Sequence, residues 1–148
     1  MKRKVVLVDI DGTISKVGER LKYLQQEPKD WDSFYEDCFN DEPIHEIVEM
    51  VKLLYPHYVV IYCTGRREST REKTLKWLDN YGIGTWCGNL LMRKNGDHRH
   101  DTEVKPELLK EANINIEDVA FVLEDRNSMV KKWRELGLIC LQVAEGDF

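Results

Sequence analysis

The sequence predicts an α/β fold, Rossmann-like in outline, in which a parallel sheet lies between two layers of helices. Three observations carry that prediction. Apolar runs of strand length, at 5–8, 58–63, 119–123 and 138–143, lack the alternation of a half-exposed strand, as expected of strands buried on both faces. Segments of helical spacing separate them, which parallel strands need for their crossovers. The runs also end in chemistry: Asp9-Ile10-Asp11-Gly12-Thr13, Thr64-Gly65-Arg66 and Glu124-Asp125-Arg126 each follow a strand directly.

In chain order, Val5 to Val8 is the first strand. The segment 15–41 that follows is polar with interspersed aromatics, too long for a tight connection, and reads as a small cap over the strand end, with a short helix beginning at Asp30. Pro43 opens the next helix, where its missing N–H costs nothing, and Ile44, Ile47, Val48, Val51 and Leu54 form its inward face. Pro56 stops it before the strand 58–63. The span 68–81 is helical with Leu75, Trp77 and Leu78 inward, ended by Gly82. Leu90-Leu91-Met92 is a short strand leading to a loop, 93–97, rich in turn formers. A helix over 101–111, the strand 119–123, a helix over 128–136 stopped by Gly137 and the strand 138–143 complete the chain.

A chain of 148 residues, 42% of them apolar, fits one domain over 1–148 with one core. No apolar run approaches the roughly 18 residues of a membrane helix. The basic start Met1 to Arg3 ahead of Val5 to Val8 is no secretion signal, since Asp9 interrupts the run before the about seven to fifteen apolar residues such a signal needs. The expected setting is cytoplasmic, without a membrane partner. Cys38, Cys63, Cys87 and Cys140 are scattered, so four reduced thiols are expected in place of a zinc site or disulfide framework. A net charge of −5 excludes a broad electrostatic grip on nucleic acid but leaves room for a local basic pocket.

Asp9 and Asp11 stand two apart on extended backbone, so their repulsion has to be offset by a cation or a shared proton. Magnesium suits hard carboxylate oxygens at a strand end, whereas a solvated turn is the plainer alternative. Ligands of an open parallel sheet bind at the carboxyl ends of its strands. There, Asp9 and Asp11, Thr64 with Arg66, Glu124 with Asp125, and Lys105 together supply what phosphoryl transfer needs: a nucleophile, a metal site, donors for phosphate oxygens and positive charge.

The ordered set Asp9-x-Asp11-Gly12-Thr13, Thr64, Lys105 and Glu124-Asp125 resembles the four motifs of the haloacid dehalogenase superfamily of phosphohydrolases. More narrowly, Gly65-Arg66, Arg71-Glu72-Lys73 to Trp77, Gly96-Asp97-His98-Arg99 with Asp101, Trp133-Arg134 and the ending Gln142-Val143-Ala144-x-Gly146-Asp147-Phe148 resemble the 3′-phosphatase domains of phage polynucleotide kinase type. The chain departs from that pattern in having Glu124 where Asp is common, and in lacking a G-x-x-x-x-G-K-[ST] kinase loop.

The resemblance implies a magnesium-dependent phosphomonoesterase with a small cap, in which Asp9 attacks phosphorus and Asp11 acts as acid and then as base. Asp9, the Asp11 backbone carbonyl and Asp125 would hold Mg2+. Thr64 and neighbouring amides would bind phosphate oxygens, and Lys105 would neutralise charge. Arg20, Gly65, Arg66 and Asp101 fall at substrate-binding positions. The implied substrate is a 3′-phosphorylated DNA or RNA end, with a kinase or ligase on a separate chain as partner and a monomer or small homo-oligomer as the assembly. A phosphatase of free nucleotides or other small esters keeps the same chemistry; a non-catalytic binding module would not need both aspartates. Trp77 and Trp133 read as core, His98 and His100 as a solvated face, Trp31, Phe34 and Tyr35 as base-stacking candidates, and Arg93 and Lys94 as either backbone-steering or merely solvated.

Overall fold

Five strands, β1 (Val5–Val8), β2 (Val59–Arg67), β3 (Leu90–Arg93), β4 (Val119–Glu124) and β5 (Cys140–Gln142), pair in parallel in the order β3-β2-β1-β4-β5. The computed structural model describes residues 3–148, so Met1 and Lys2 of the basic start lie outside the described residues. From β1 the chain builds outward through β2 to β3, then returns to the other side of β1 for β4 and β5. The direction of winding therefore changes between β1 and β4, and the crevice beyond the carboxyl ends of those two strands is where such sheets bind ligands.

Helices cover both faces, so the expected three layers are present. Val6 and Val8 of β1, with Val60 and Tyr62 of β2, pack against Val48 and Val51 of α2 (His45–Leu54) and Trp77 and Leu78 of α3 (Arg71–Asn80). The alternate residues Leu7 and Ile61, with Val122, pack against Leu109 of α4 (Asp101–Glu111) and Met129, Val130 and Trp133 of α5 (Asn127–Glu135). Each such side chain, fully buried, contributes about 1.5–3 kcal/mol. Trp77 and Trp133, each 1% exposed, are core residues as their spacing indicates.

Two local differences from the sequence reading bear on the site. Pro43 does not open α2. It lies extended and bridges Ser15, while Lys16 N–H donates to the Glu42 carbonyl at 2.8 Å and Ile44 N–H to the Ile14 carbonyl at 2.8 Å. This pairing holds the backbone of 42–44 straight, and the helix begins only at His45. The second difference is β2, which runs on through Thr64-Gly65-Arg66-Arg67 instead of turning after Cys63. Thr64 pairs with Met92 and Arg67 with Arg93, with a register shift between them. Such an irregularity re-aims side chains, and here it directs Arg66 back toward β1.

Between β1 and α2, the segment 15–41 forms a 3-10 turn (Gly18–Tyr23), the short helix α1 (Trp31–Glu36) and a second 3-10 turn (Asp37–Asn40). Asp30 caps α1 as expected, its carboxylate accepting from Ser33 N–H at 3.0 Å. Trp77 Nε1 donates to the Asp41 carbonyl at 2.8 Å and so ties the end of this segment to α3.

Candidate active site

At the end of β1 the backbone turns sharply: Gly12 N–H donates to the Ser15 carbonyl, and the amides of Thr13, Ile14 and Ser15 all point at the Ile10 carbonyl. Gly12 sits at φ +83, and a Cβ there would stand 2.1 Å from Asp125 Oδ2, so only glycine lets this turn approach β4 so closely. The turn brings Asp9 into a group with four polar neighbours. Lys105 Nζ donates to Asp9 Oδ1 at 2.7 Å and to Glu124 Oε2 at 3.0 Å, and Thr13 Oγ1 donates to Asp9 Oδ2 at 2.8 Å and lies 3.3 Å from Asp125 Oδ1. All five residues are buried.

Electrostatics divide this group. Burial works against the charge on Lys105, yet the carboxylates of Asp9 and Glu124 outweigh it and raise the lysine well above its ordinary range. Glu124 and Asp125 are pushed up, by burial first and by the charge of Asp9 second. Three buried carboxylates thus face one ammonium. Each of Asp9, Glu124 and Asp125 offers an oxygen, the three lying within 4.8 Å of one another. Hard oxygen donors carrying excess negative charge fit a divalent cation such as Mg2+, which would relieve the cost that raises Glu124 and Asp125.

Asp11 sits in a different environment. Its Oδ1 accepts from Arg20 Nη2 at 2.6 Å and from Arg66 Nη2 and Nε at 2.7 and 3.1 Å. Burial raises its proton affinity, but the charges of Arg66 and Arg20, with their hydrogen bonds, win and hold the carboxyl down at about 2. Oδ2 has no hydrogen bond among the described residues, and Asp11 lines the cleft. The two arginines are fixed from behind by Asp41, which accepts from Arg20 Nε at 2.7 Å, Arg20 Nη2 at 2.7 Å and Arg66 Nη2 at 3.2 Å; Ser15 Oγ donates to the same carboxylate at 2.5 Å. Arg66 Nη1 also donates to Thr74 on α3.

Asp9, Asp11, Glu124 and Asp125 line a cleft of about 720 Å³, with Arg20, Arg66 and Lys105 behind them. One side is apolar, with Val17, Leu21, Leu24, Trp31, Phe34 and Tyr35, and another is polar, with Arg67, Arg99, Arg126, His98 and His100.

A family model of the polynucleotide kinase PNKP phosphatase domain matches residues 3–148. The chain belongs to this family. Among solved structures, one of a Pnkp1/Rnl/Hen1 complex aligns with a TM-score of 0.83 at 34% identity, over 99% of this chain and 47% of that one. A second, of the Pnkp1/Rnl/Hen1 RNA repair complex, gives 0.82 at 33%, over 99% and 44%. Phosphatidate phosphatase LPIN3 of Mus musculus is 31% identical over 119 residues, 76% of this chain and 13% of the mouse protein. The chain therefore spans less than half the length of each of these three relatives. A haloacid dehalogenase-like hydrolase of Streptococcus pneumoniae, 12% identical with a TM-score of 0.62 over 95% of this chain and 84% of its own, shares the fold.

Within this phosphatase family fold, the residues singled out from sequence converge on one cleft. Asp9, Lys105 and Asp125 meet as described, and Asp11 lines the same cleft among its arginines; Thr64 and Gly65 line it too, the Thr64 hydroxyl accepting from the Arg66 N–H at 3.1 Å. Arg20 and Arg66, 1% exposed each, touch Asp11 and Asp41 and reach the cleft only through them. Asp101 binds Arg93 and, at 3.3 Å, Arg126 Nη1. The side chain of Asp11 is not part of the acidic trio; Glu124 stands in it instead.

Arg93 does not lie in solvent: it is buried, lines the cleft and donates to the carbonyls of Gly65 (2.9 Å), Asp97 (3.1 Å) and Arg99 (2.6 Å), bracing the loop before α4. Asp41 was not legible as a site residue. The one signal was its place at the end of the segment after β1, where a buried acid has to answer arginines distant in sequence.

Proposed function

We propose that this domain hydrolyses phosphate monoesters through Asp9, that it depends on magnesium, and that its substrate is the 3′-phosphorylated end of a DNA or RNA strand. The observation that carries the reading is the contrast between two aspartates on one turn: Asp9 gripped by Lys105 and Thr13 beside two further carboxylates, Asp11 gripped by two arginines. Environments this different suit two different jobs.

Asp9, oriented through both oxygens, attacks phosphorus; the new Asp9 O–P bond forms as the ester O–P bond breaks. The proton for the departing oxygen comes from the free Oδ2 of Asp11. A phosphate dianion entering beside Asp11 adds negative charge, which raises the low proton affinity of that carboxyl. In the second half, Asp11 takes a proton from water attacking the phosphorus, and Asp9 departs with its original electron pair. Lys105 balances charge that gathers between Asp9 and the phosphoryl group, and the Thr64 hydroxyl with the amides that follow it binds phosphate oxygens. Magnesium held by Asp9, Asp125 and the Asp11 backbone carbonyl would supply Lewis-acid neutralisation of those oxygens. Glu124 anchors Lys105.

Two of the solved relatives are complexes of Pnkp1, Rnl and Hen1, one of them named as an RNA repair complex, which supports strand ends as substrate and a ligase or kinase on a separate chain as partner. The mouse relative is named for a lipid phosphomonoester, so its likeness supports the chemistry and not the leaving group. EDTA should silence the enzyme and Mg2+ restore it, while Ca2+, with its looser coordination, should inhibit. The substrate test compares kcat/KM for a 3′-phosphorylated trinucleotide with that for the matching 3′-mononucleotide, in wild type and Trp31→Ala. Preference for the trinucleotide, reduced in the variant, is expected. Equal turnover of both, untouched by Trp31→Ala, would replace the strand end by a free nucleotide. With a net charge of −5, few phosphates are neutralised and affinity should vary only weakly with salt.

A further inference from the structure

The ending Gln142 to Phe148 has no part in the chemistry above, yet it is built into the cleft. Val143 N–H donates to the Glu124 carbonyl at 3.0 Å, and Gln142 Nε2 to the Asp125 carbonyl at 2.9 Å and to Asn127 Oδ1 at 2.6 Å. Gly146 is pressed so closely on the end of β4 that a Cβ would meet the Asp125 carbonyl oxygen at 2.2 Å and Arg126 Cα at 2.7 Å; its own carbonyl accepts from Asn127 N–H at 2.8 Å. Beyond it, Arg126 holds Phe148 twice. Nε donates to the Phe148 carbonyl at 3.0 Å, and the guanidinium lies 5.4 Å from the centre of the Phe148 ring. A third arm of the same arginine reaches Asp101.

The result is an aromatic ring lining the cleft, 70% exposed, whose position is fixed by the residue that follows Asp125. A ring with no structural use for its open surface, held on the wall of the cleft that Asp9 and Asp11 also line, is equipped to meet a flat apolar group.

We infer that Phe148 is a specificity-determining residue that receives the base of the terminal nucleotide, so that the enzyme prefers a 3′-phosphate borne by a base-carrying sugar over one borne by a bare sugar. This rests on the strand-end reading above. It differs from the role given to Trp31, which lies on the cap, stacked on Tyr35 with ring centres 6.0 Å apart, and is not tied to the end of β4.

The test uses two oligonucleotides with 3′-phosphates, identical except that one ends in an abasic sugar, measured by kcat and KM in wild type, Phe148→Ala and Phe148→Tyr. Wild type should favour the base-bearing end by about tenfold, within what one base stacked on an aromatic ring contributes. Phe148→Ala should erase that preference through KM, and Phe148→Tyr should restore it. If Phe148→Ala slows both ends equally, or leaves the preference intact, the ending only scaffolds β4 and the inference falls while the strand-end reading stands. If wild type cleaves neither oligonucleotide but does cleave glycerol phosphate, the strand-end reading itself has failed, and this inference with it.

Discussion

Two single-residue changes separate chemistry from stability. Asp9→Asn removes the proposed nucleophile and one carboxylate of a crowded trio, while the amide oxygen can still accept from Lys105 and the amide NH2 can donate to the Thr13 hydroxyl, which lies within reach of Asp125. Turnover should vanish. The melting temperature should hold or rise, because Glu124 and Asp125 lose the charge that raises them. Substantial residual turnover in that variant would sink Asp9 as nucleophile. Asp41→Ala should do the reverse of a surface charge deletion: two guanidinium groups, each 1% exposed as residues, would be left with Asp11 as their only carboxylate. Breaking such a buried network costs about 3–5 kcal/mol, to be read from denaturant midpoints. A loss under about 1 kcal/mol would mean that water reaches the arginines and that their burial is not what fixes Asp11.

The turn after β1 is the element on which the site depends, because it carries Asp9 and Asp11 and touches β4 at Gly12. Gly12→Ala combines a left-handed backbone at φ +83 with a contact of 2.1 Å to Asp125, so the variant should weaken Mg2+ binding at least tenfold by calorimetry even where the fold survives. Unchanged affinity would place the metal away from Asp125. This element was legible in the sequence: an apolar run, two acids and a glycine leave little freedom, and the switch of winding between β1 and β4 brings Glu124 and Asp125 to the same crevice. Strand-end motifs are readable because strands deliver consecutive residues to one edge. What the sequence hid is long-range. Asp41 meets Arg20 and Arg66 across 21 and 25 residues, and Arg93 turns inward to carbonyls no local pattern announces. The extension of β2 through Arg67 was hidden for a related reason. Thr-Gly-Arg reads as a turn by composition, and only pairing with β3 keeps it in the sheet.

For the molecule as a whole, the acidic trio should make stability depend jointly on pH and metal. Glu124 and Asp125 have folded-state proton affinities above their unfolded values. Over the window from the ordinary carboxylate range near about 4 upward toward neutrality, the folded chain therefore binds more protons than the unfolded one, and stability falls as pH rises. Asp11 has the opposite sign, since its lowered value contributes stability that is lost only as pH falls below about 4 toward about 2, outside that window. A cation bound by Asp9 and Asp125, beside Glu124, competes with the retained protons, so it should stabilise little at low pH and more as pH rises. Melting temperatures at about pH 5 and about pH 8, each with EDTA and with excess Mg2+, isolate this effect. The chain's net charge, −5 at pH 7, differs between the two pH values but is common to the EDTA and Mg2+ samples at each, so it cancels from the paired difference. The Mg2+-induced rise should be several degrees larger at the higher pH in wild type and should collapse in Asp125→Asn. An Mg2+ shift that is equal at both pH values, or that persists in Asp125→Asn, would place the stabilising cation outside the trio and leave the raised carboxylates to be satisfied by protons alone.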